Sequence, residues 1–266
     1  MNNMLITEAI EYILNHLWSQ VTLEDVANHC HMSVSRFSTL FKEATGESVY
    51  AFIKRMKMEQ SAIKLKLEST RDITEIGADY GYSASNFCSA FRLHHKMTPS
   101  AFRRECNHER PDREQIIESI QKEIRIEQKP DYYVLYERTI GDYIELQDAW
   151  CRFMEVHEND ITEKTMFFER TFDDPSITKK DHCIYDICMT IEDAAKYETT
   201  CVLKGGRFVV YPFRGYIPDI LQTHQQLIGV WFPSQGYVLD ERYSYDQYKL
   251  VREDGYMEFD ICIPIK

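Results

Sequence analysis

Long apolar runs are missing from this 266-residue chain: no stretch of about 18 apolar residues occurs, so no membrane-spanning helix is expected. The first residues also lack the basic flank and apolar plug of an export signal, which predicts a cytoplasmic protein. Closely spaced cysteine pairs are absent. The eight cysteines sit inside apolar runs, as at Cys30, Cys88, Cys151, Cys188 and Cys262, and read as reduced thiols without disulfides. His182-Cys183 with Cys188 has no second ligand pair, so no metal is expected. No phosphate-cradling glycine loop, nucleophile elbow or metalloprotease helix appears, and no cofactor is predicted.

Positive charge is scarce as well, with 31 Lys and Arg against 43 Asp and Glu. Residues 1–106 carry 12 basic and 12 acidic side chains, so the whole deficit lies in the remainder. Glycine and proline are nearly confined to that remainder; before it stand only Gly46, Gly77, Gly81 and Pro99. The seam is Asn107-His-Glu-Arg-Pro111-Asp-Arg-Glu, a linker followed by a predicted helix from Asp112 to about Ile126. Three parts result: 1–106, a linker and helix over 107–129, and 130–266.

The first part repeats itself. A shift of 50 positions superimposes Val26 on Ile76, Ala27 on Gly77, Ser33 on Ser83, Phe37 on Phe87, Phe41 on Phe91 and Phe52 on Phe102. Each copy reads as a short helix (Leu23 to Cys30; Asp72 to Tyr80), a tight turn and a second helix (Ser33 to Thr45; Ser83 to His95). Thr22, Ser33, Thr70 and Ser83 stand where caps are needed. Between the copies, Val49 to Glu68 reads as a helix that sets the two units about one DNA turn apart.

Helical spacing assigns faces. Phe37, Leu40, Phe41 and Ala44 form an inward stripe; Ser35, Ser38, Thr39 and Lys42 run along the opposite side. In the second copy Phe87, Ala90 and Phe91 point inward, while Ser85, Ser89, Arg92 and Lys96 point outward with Asn86 beside them. One polar row alone is ordinary solvated surface. Two, each on the second helix of a repeated helix-turn-helix, suit entry into the major groove.

The strings Thr22-Leu-Glu-Asp-Val-Ala, Met32-Ser-Val-Ser-Arg-Phe-Ser-Thr-Leu-Phe-Lys, Gly46, Ile73-Thr-Glu-Ile-Gly, Gly81-Tyr, Phe87, Phe91-Arg and Thr98-Pro-Ser-Ala-Phe-Arg103 closely resemble the AraC-type double helix-turn-helix module. The resemblance covers about residues 4–104. It implies an all-helical domain that binds double-stranded promoter DNA and recruits or displaces RNA polymerase. Its groove-facing places fall on Ser35, Arg36, Ser38, Thr39 and Lys42, and on Ser85, Asn86, Ser89 and Arg92. The family commonly has arginine where Thr39 and Ser89 stand and glycine where Lys96 stands, and its second turn is often one residue longer. With a neutral domain these departures predict modest affinity and steep site dependence.

The remainder is duplicated too. Gly141 to Gly215 and Asp186 to Asp260 share one offset of 74 positions, and Tyr185-Asp-Ile-Cys-Met-Thr-Ile191 matches Phe259-Asp-Ile-Cys-Ile-Pro-Ile265. Each unit reads as strand, helix, strand, strand. Strands are predicted at 132–138, 164–172, 183–191, 206–213, 243–250 and 256–264, and helices near 144–159 and 217–229. Gly205-Gly206 reads as a hairpin turn. The fold class is therefore multidomain: an all-α double helix-turn-helix domain plus an α+β domain.

Two such units side by side leave a groove along their pseudo-twofold seam. Its predicted lining is rich in tyrosine and tryptophan, more than a core of this size needs, although any single ring is more readily core. Aromatic faces with a carboxylate suit a bulky hydrophobic cation, each ring contributing about 0.5–2 kcal/mol. Gly141-Asp-Tyr143, Trp150, Phe172-Asp-Asp-Pro175, Tyr185-Asp186, Gly205-Gly-Arg-Phe208, Arg214-Gly-Tyr216, Trp231-Phe-Pro-Ser234 and Tyr245-Asp246-Gln-Tyr248 resemble, in order and spacing, the gyrase-inhibitor-like effector-binding domain of multidrug-sensing regulators, over about residues 130–266. Asp246 and Tyr248 occupy the place of the family's ligand-meeting glutamate and the tyrosine two positions on. Tyr143, Trp150, Phe168, Tyr185, Tyr216 and Trp231 complete the candidate ligand site. Asp246 as a surface carboxylate on an edge strand is the bland alternative, and Asp186 and Asp260, recurring in both units, read as structural.

Two functions of different class follow. In one, a non-enzymatic transcription regulator senses a small amphiphilic cation and alters its hold on promoter DNA, the helix after Pro111 serving as the joint. In the other, a gyrase-inhibitor-like hydrolase of small molecules is fused to a DNA-binding module, Asp246 and a tyrosine positioning water.

Overall fold

The computed structural model describes residues 2–107 and 111–266; linker residues 108–110 lie outside the described residues. The chain divides into two compact units, Met1–Leu65 with Thr70–Glu105 and Lys66–Ser69 with Cys106–Lys266. No helix among the described residues is long and apolar enough to cross a membrane.

The first unit is all helical: α1 (Asn2–Asn15), α2 (Leu23–His29), α3 (Val34–Thr45), α4 (Val49–Leu67), α5 (Ile73–Asp79), α6 (Ala84–His95) and α7 (Pro99–Cys106). The 50-residue repeat is built into its packing. Phe37, Phe41 and Phe52 contact one another at 5.7 and 5.4 Å between ring centres, and their counterparts Phe87, Phe91 and Phe102 do so at 5.6 and 5.5 Å. All but Phe102 are buried to 1% exposure or less. Leu40 is only half-buried and Ala44 is exposed, so the inward stripe of α3 is narrower than its spacing predicts.

Capping differs in detail from expectation. Thr22 and Asp25 form a reciprocal capping box at α2, as hydroxyl and carboxylate each satisfy a free amide. Asp72 rather than Thr70 caps α5, accepting from the Thr74 N–H at 2.6 Å. Ser33 and Ser83 stand at N-cap positions without a side-chain cap bond. α3 and α6 end in left-handed residues, Gly46 (φ 75°) and Lys96 (φ 61°), and the turns before them pass through His31 (φ 54°) and Gly81 (φ 79°). Each left-handed position thus carries glycine in one copy and a bulkier residue in the other. Helix α4 buries Arg55, Lys57, Glu59 and Lys64. Its charges are tied down: Arg55 meets Glu47 and Glu59, each at 2.9 Å, and the Lys57 ammonium donates to the Ser19 and Tyr80 carbonyls.

The second unit holds α8 (Arg113–Glu123), β1 (Arg125–Lys129), β2 (Tyr132–Ile140), α9 (Leu146–His157), β3 (Phe167–Thr171), β4 (Ile184–Thr190), β5 (Thr200–Leu203), β6 (Gly206–Gly215), α10 (Ile217–Gln226), β7 (Tyr245–Val251) and β8 (Met257–Pro264). The helix after Pro111 stops at Glu123 rather than Ile126, and the chain continues as β1. β1 and β5 are additional to the expected strands. They are equivalent in the 74-residue repeat, and each pairs with the other repeat: β1 with β6, β5 with β2. Sheet order is β1-β6-β8-β7-β3-β4-β2-β5, which maps onto its own reverse under the repeat and places a pseudo-twofold between β7 and β3.

The exchange of edge strands gives Gly205 its role. It is not a hairpin turn, because β5 and β6 are not neighbours. A Cβ at Gly205 would lie 2.3 Å from the Lys129 carbonyl oxygen, so the two crossing connections pass too closely for a side chain. One sheet face packs Val134, Tyr136, Phe168, Phe208 and Tyr245. The other packs Leu135, Tyr185, Ile187 and Met189 beneath Ala149 and Phe153 of α9.

Candidate functional site

Of the residues expected to face DNA, Ser35, Arg36, Thr39 and Lys42 of α3 are exposed and Ser38 is half-buried; Ser85, Asn86, Ser89 and Arg92 of α6 are all exposed. Arg36, Lys42 and Arg92 make no ion pair among the described residues, leaving three cations available to phosphate. The Thr39 hydroxyl donates to the Ser35 carbonyl at 3.2 Å, and the Ser89 hydroxyl to that of Ser85 at 3.0 Å. These repeat-equivalent hydroxyls spend their protons on their own helices, so their outward lone pairs can accept from a base amino group. Tyr50 and Lys54 of α4 line a hollow beside Asn86 and Ser89. Sequence spacing passed over both, because they belong to the helix between the copies.

In the second unit the pseudo-twofold seam carries two carboxyls. In the β3–β7 register Glu169 lies directly opposite Asp246, and Phe167 opposite Tyr248. Opposed residues of antiparallel strands share a face, with Cβ atoms about 4.5–5.5 Å apart. Glu169 and Asp246 are also equivalent to each other. Glu169 pairs with Ile187 on β4 and Asp246 with Ile261 on β8, and Ile187 and Ile261 are equivalent in the 74-residue repeat. The duplication therefore sets two acids face to face at its own axis.

Aromatic side chains enclose them. Trp150 of α9 meets the Tyr248 ring edge-on at 5.1 Å and Phe167 at 6.3 Å, and Tyr248 packs on Phe259 at 5.1 Å. Tyr143, in the single 3-10 turn before α9, stacks on Tyr185 at 5.0 Å and donates to Asp173 at 3.3 Å. The Tyr248 hydroxyl donates to Glu169 at 3.0 Å. The buried Trp150 indole N–H makes no hydrogen bond of good geometry, yet it lies close enough to Glu169 to favour the carboxylate.

Electrostatics follow from this enclosure. Burial pushes the Glu169 carboxyl up to about 7, opposed in part by Tyr248 and Trp150. Burial, and then the like charge of Glu169, holds Asp246 well above the usual carboxylate range. The Tyr248 and Tyr143 phenols are raised for the same reasons. Glu169 is 5% exposed, whereas Asp246 keeps partial access although atoms crowd around it. Asp246 has no hydrogen-bond or ion-pair partner among the described residues, and no cation stabilises either acid.

The structure thus gathers Asp246, Tyr248, Tyr143, Trp150 and Tyr185 on the helix-covered face. Phe168 alternates onto the opposite face, against Tyr132 and Tyr245. Trp231 is buried in a π turn and donates to Gln121 of α8 at 3.0 Å, and Tyr216 lies at the surface against Tyr256. Glu169 was absent from the sequence-derived site. An acid within Phe167-Phe168-Glu169 was the available signal, but its mate lies 77 positions on rather than 74, so the repeat offset does not align them. Asp186 and Asp260 are buried on the opposite face. Asp186 pairs with Arg138 at 2.8 Å and with Arg170 at 2.5 Å; Asp260 pairs with Arg125 at 3.0 Å and Lys249 at 2.7 Å.

Comparison with known families gives two matches: a GyrI-like small molecule binding domain over residues 122–266 and a helix-turn-helix domain over residues 26–105. The regulatory protein PocR of Salmonella typhimurium is 39% identical over 101 residues, which cover 38% of this chain and 33% of that protein. The Tn10 TetD protein of Escherichia coli is 31% identical over 101 residues, covering 38% of this chain and 72% of that protein. The chain therefore spans about a third of PocR. A solved structure of the EcmrR–DNA complex is similar at 14% identity and a TM-score of 0.48, covering 92% of this chain and 99% of that one.

Proposed function

The chain belongs to the GyrI-like small molecule binding family and carries an AraC-type DNA-binding module, and from that premise we propose that it is a regulator whose cleft senses a small amphiphilic cation. The observation that carries this reading is a pair of enclosed acids, Glu169 and Asp246, lined by aromatic rings and left without a neutralising cation. Desolvated carboxyls are costly to ionise alone, and a cation entering between Trp150 and Tyr248 relieves that cost while gaining ring contacts. Arg36, Lys42 and Arg92 hold the promoter phosphates, and Ser35, Ser38, Thr39, Ser85, Asn86 and Ser89 face the bases. The regulatory output is a change in DNA occupancy that alters recruitment of RNA polymerase.

DNA fragments recovered with the protein from cells supply the operator for a mobility-shift titration. Arg36→Ala and Arg92→Ala should each weaken binding to every sequence and lower the salt slope by about one unit. Unchanged titrations for both would remove these helices from the interface. Adding tetraphenylphosphonium should shift the wild-type titration. An unmoved curve, with no ligand bound in equilibrium dialysis, would end the sensor reading. A cation converted to product by wild type but not by Asp246→Asn would favour the hydrolase instead.

A further inference from the structure

Glu169 and Asp246 are two copies of one ancestral position brought together at the pseudo-twofold, and this inference rests on the cleft being a cation site. We propose that above neutral pH the two residues act as one acid that keeps a single proton between them without ligand and surrenders it only to a ligand carrying two positive charges, so that monocations and dications are told apart by a proton.

The geometry requires one proton. Two carboxylates opposed across neighbouring strands in a desolvated site cannot both ionise unless positive charge accompanies them. The groups facing the pair supply none. From β7 comes the Tyr248 phenol, which donates to Glu169. From α9 comes the neutral Trp150 indole. The turn before α9 brings Tyr143, and the loop after β3 brings Asp173, its acceptor. From β4 come Tyr185 and the apolar Ile187, and from β8 the apolar Ile261, which lies opposite Asp246. All of the titratable groups among these are acids. Tyr248 binds Glu169 while Asp246 has no such donor, so Glu169 is the carboxylate and Asp246 keeps the proton.

A monocation then meets one carboxylate and needs no further charge. The second charge of a dication breaks the remaining carboxyl O–H bond, and the proton passes to buffer. Methyl viologen and tetraphenylphosphonium, with two and one fixed charges and no titratable groups, are the probes. Titration calorimetry of the full chain at about pH 8, in phosphate and in Tris, counts protons from the difference in apparent enthalpy. Methyl viologen should release about one proton, with affinity rising up to tenfold per pH unit, and tetraphenylphosphonium close to none. Asp246→Asn, shown to be folded by unaltered Trp150 and Trp231 fluorescence, should bind methyl viologen without proton release. Equal enthalpies in the two buffers for wild type, or release by Asp246→Asn equal to wild type, would overturn the shared proton while leaving the sensor standing. If neither probe binds, both readings fall.

Discussion

Asp186 and Asp260 occupy equivalent places in the 74-residue repeat, yet neutralising them should cost very different amounts. The Asp186 side chain is fully buried, and its partners Arg138 and Arg170 are 2% and 6% exposed. Both guanidiniums lie over the Tyr136 and Phe172 rings at 4.7–5.3 Å, so neither turns to water without leaving its packing. Asp186→Asn leaves two buried cations short of their counter-charge, a loss of about 3–5 kcal/mol. Asp260 is just as covered, but the side chains of Arg125 and Lys249 are each 46% exposed and stay solvated when it is neutralised. Asp260→Asn should therefore cost about 1 kcal/mol. With a common urea slope of about 1–3 kcal/mol per molar, the first variant should shift the midpoint about three to five times as far as the second, which should move by about 0.3–1 M. Trp150 and Trp231 report on this unit by fluorescence. Equal shifts, or a larger one for Asp260→Asn, would refute the claim that partner solvation decides the cost.

Lys96→Gly and His31→Gly should each stabilise the first unit by about 0.5–1 kcal/mol in thermal unfolding, since both residues hold left-handed backbone that their repeat counterparts assign to glycine. Gly205→Ala should destabilise the second unit by about 1–3 kcal/mol, because its Cβ meets the backbone of the crossing connection; an unchanged midpoint would show that the connections can separate. Glu169, raised from 4.5 to about 7, binds its proton more tightly folded than unfolded. Its contribution to stability is thus complete below about pH 4.5 and is lost as pH climbs through 7, so Glu169→Gln should gain on the order of 3 kcal/mol over wild type above pH 7. Denaturant midpoints that run parallel for the two proteins between those limits would contradict this.

Much of the first unit was readable because its signals are local. The inward Phe37 and Phe41 and their copies follow from helical spacing, and Thr22 with Asp25 is a cap within four residues. The outward rows of α3 and α6 were legible for the same reason, whereas Tyr50 and Lys54 were not, since only packing brings α4 beside α6. In the second unit, alternation and the repeat offset located six strands and both long helices. β1 and β5 escaped because each is short, lies at an edge and pairs with the opposite repeat.

The sequence by itself determined the two duplications, the division between an all-helical unit and a unit of strands with helices, and the presence of Asp246 and Tyr248 two positions apart. Only the tertiary structure decided which side chains meet. Antiparallel register sent Phe168 away from Asp246 and put Glu169 opposite it, because alternate strand residues face opposite sides and the partner comes from a strand 77 positions distant. The charge of this pair is a property of that meeting: an isolated carboxylate in water ionises freely, and two of them enclosed face to face do not.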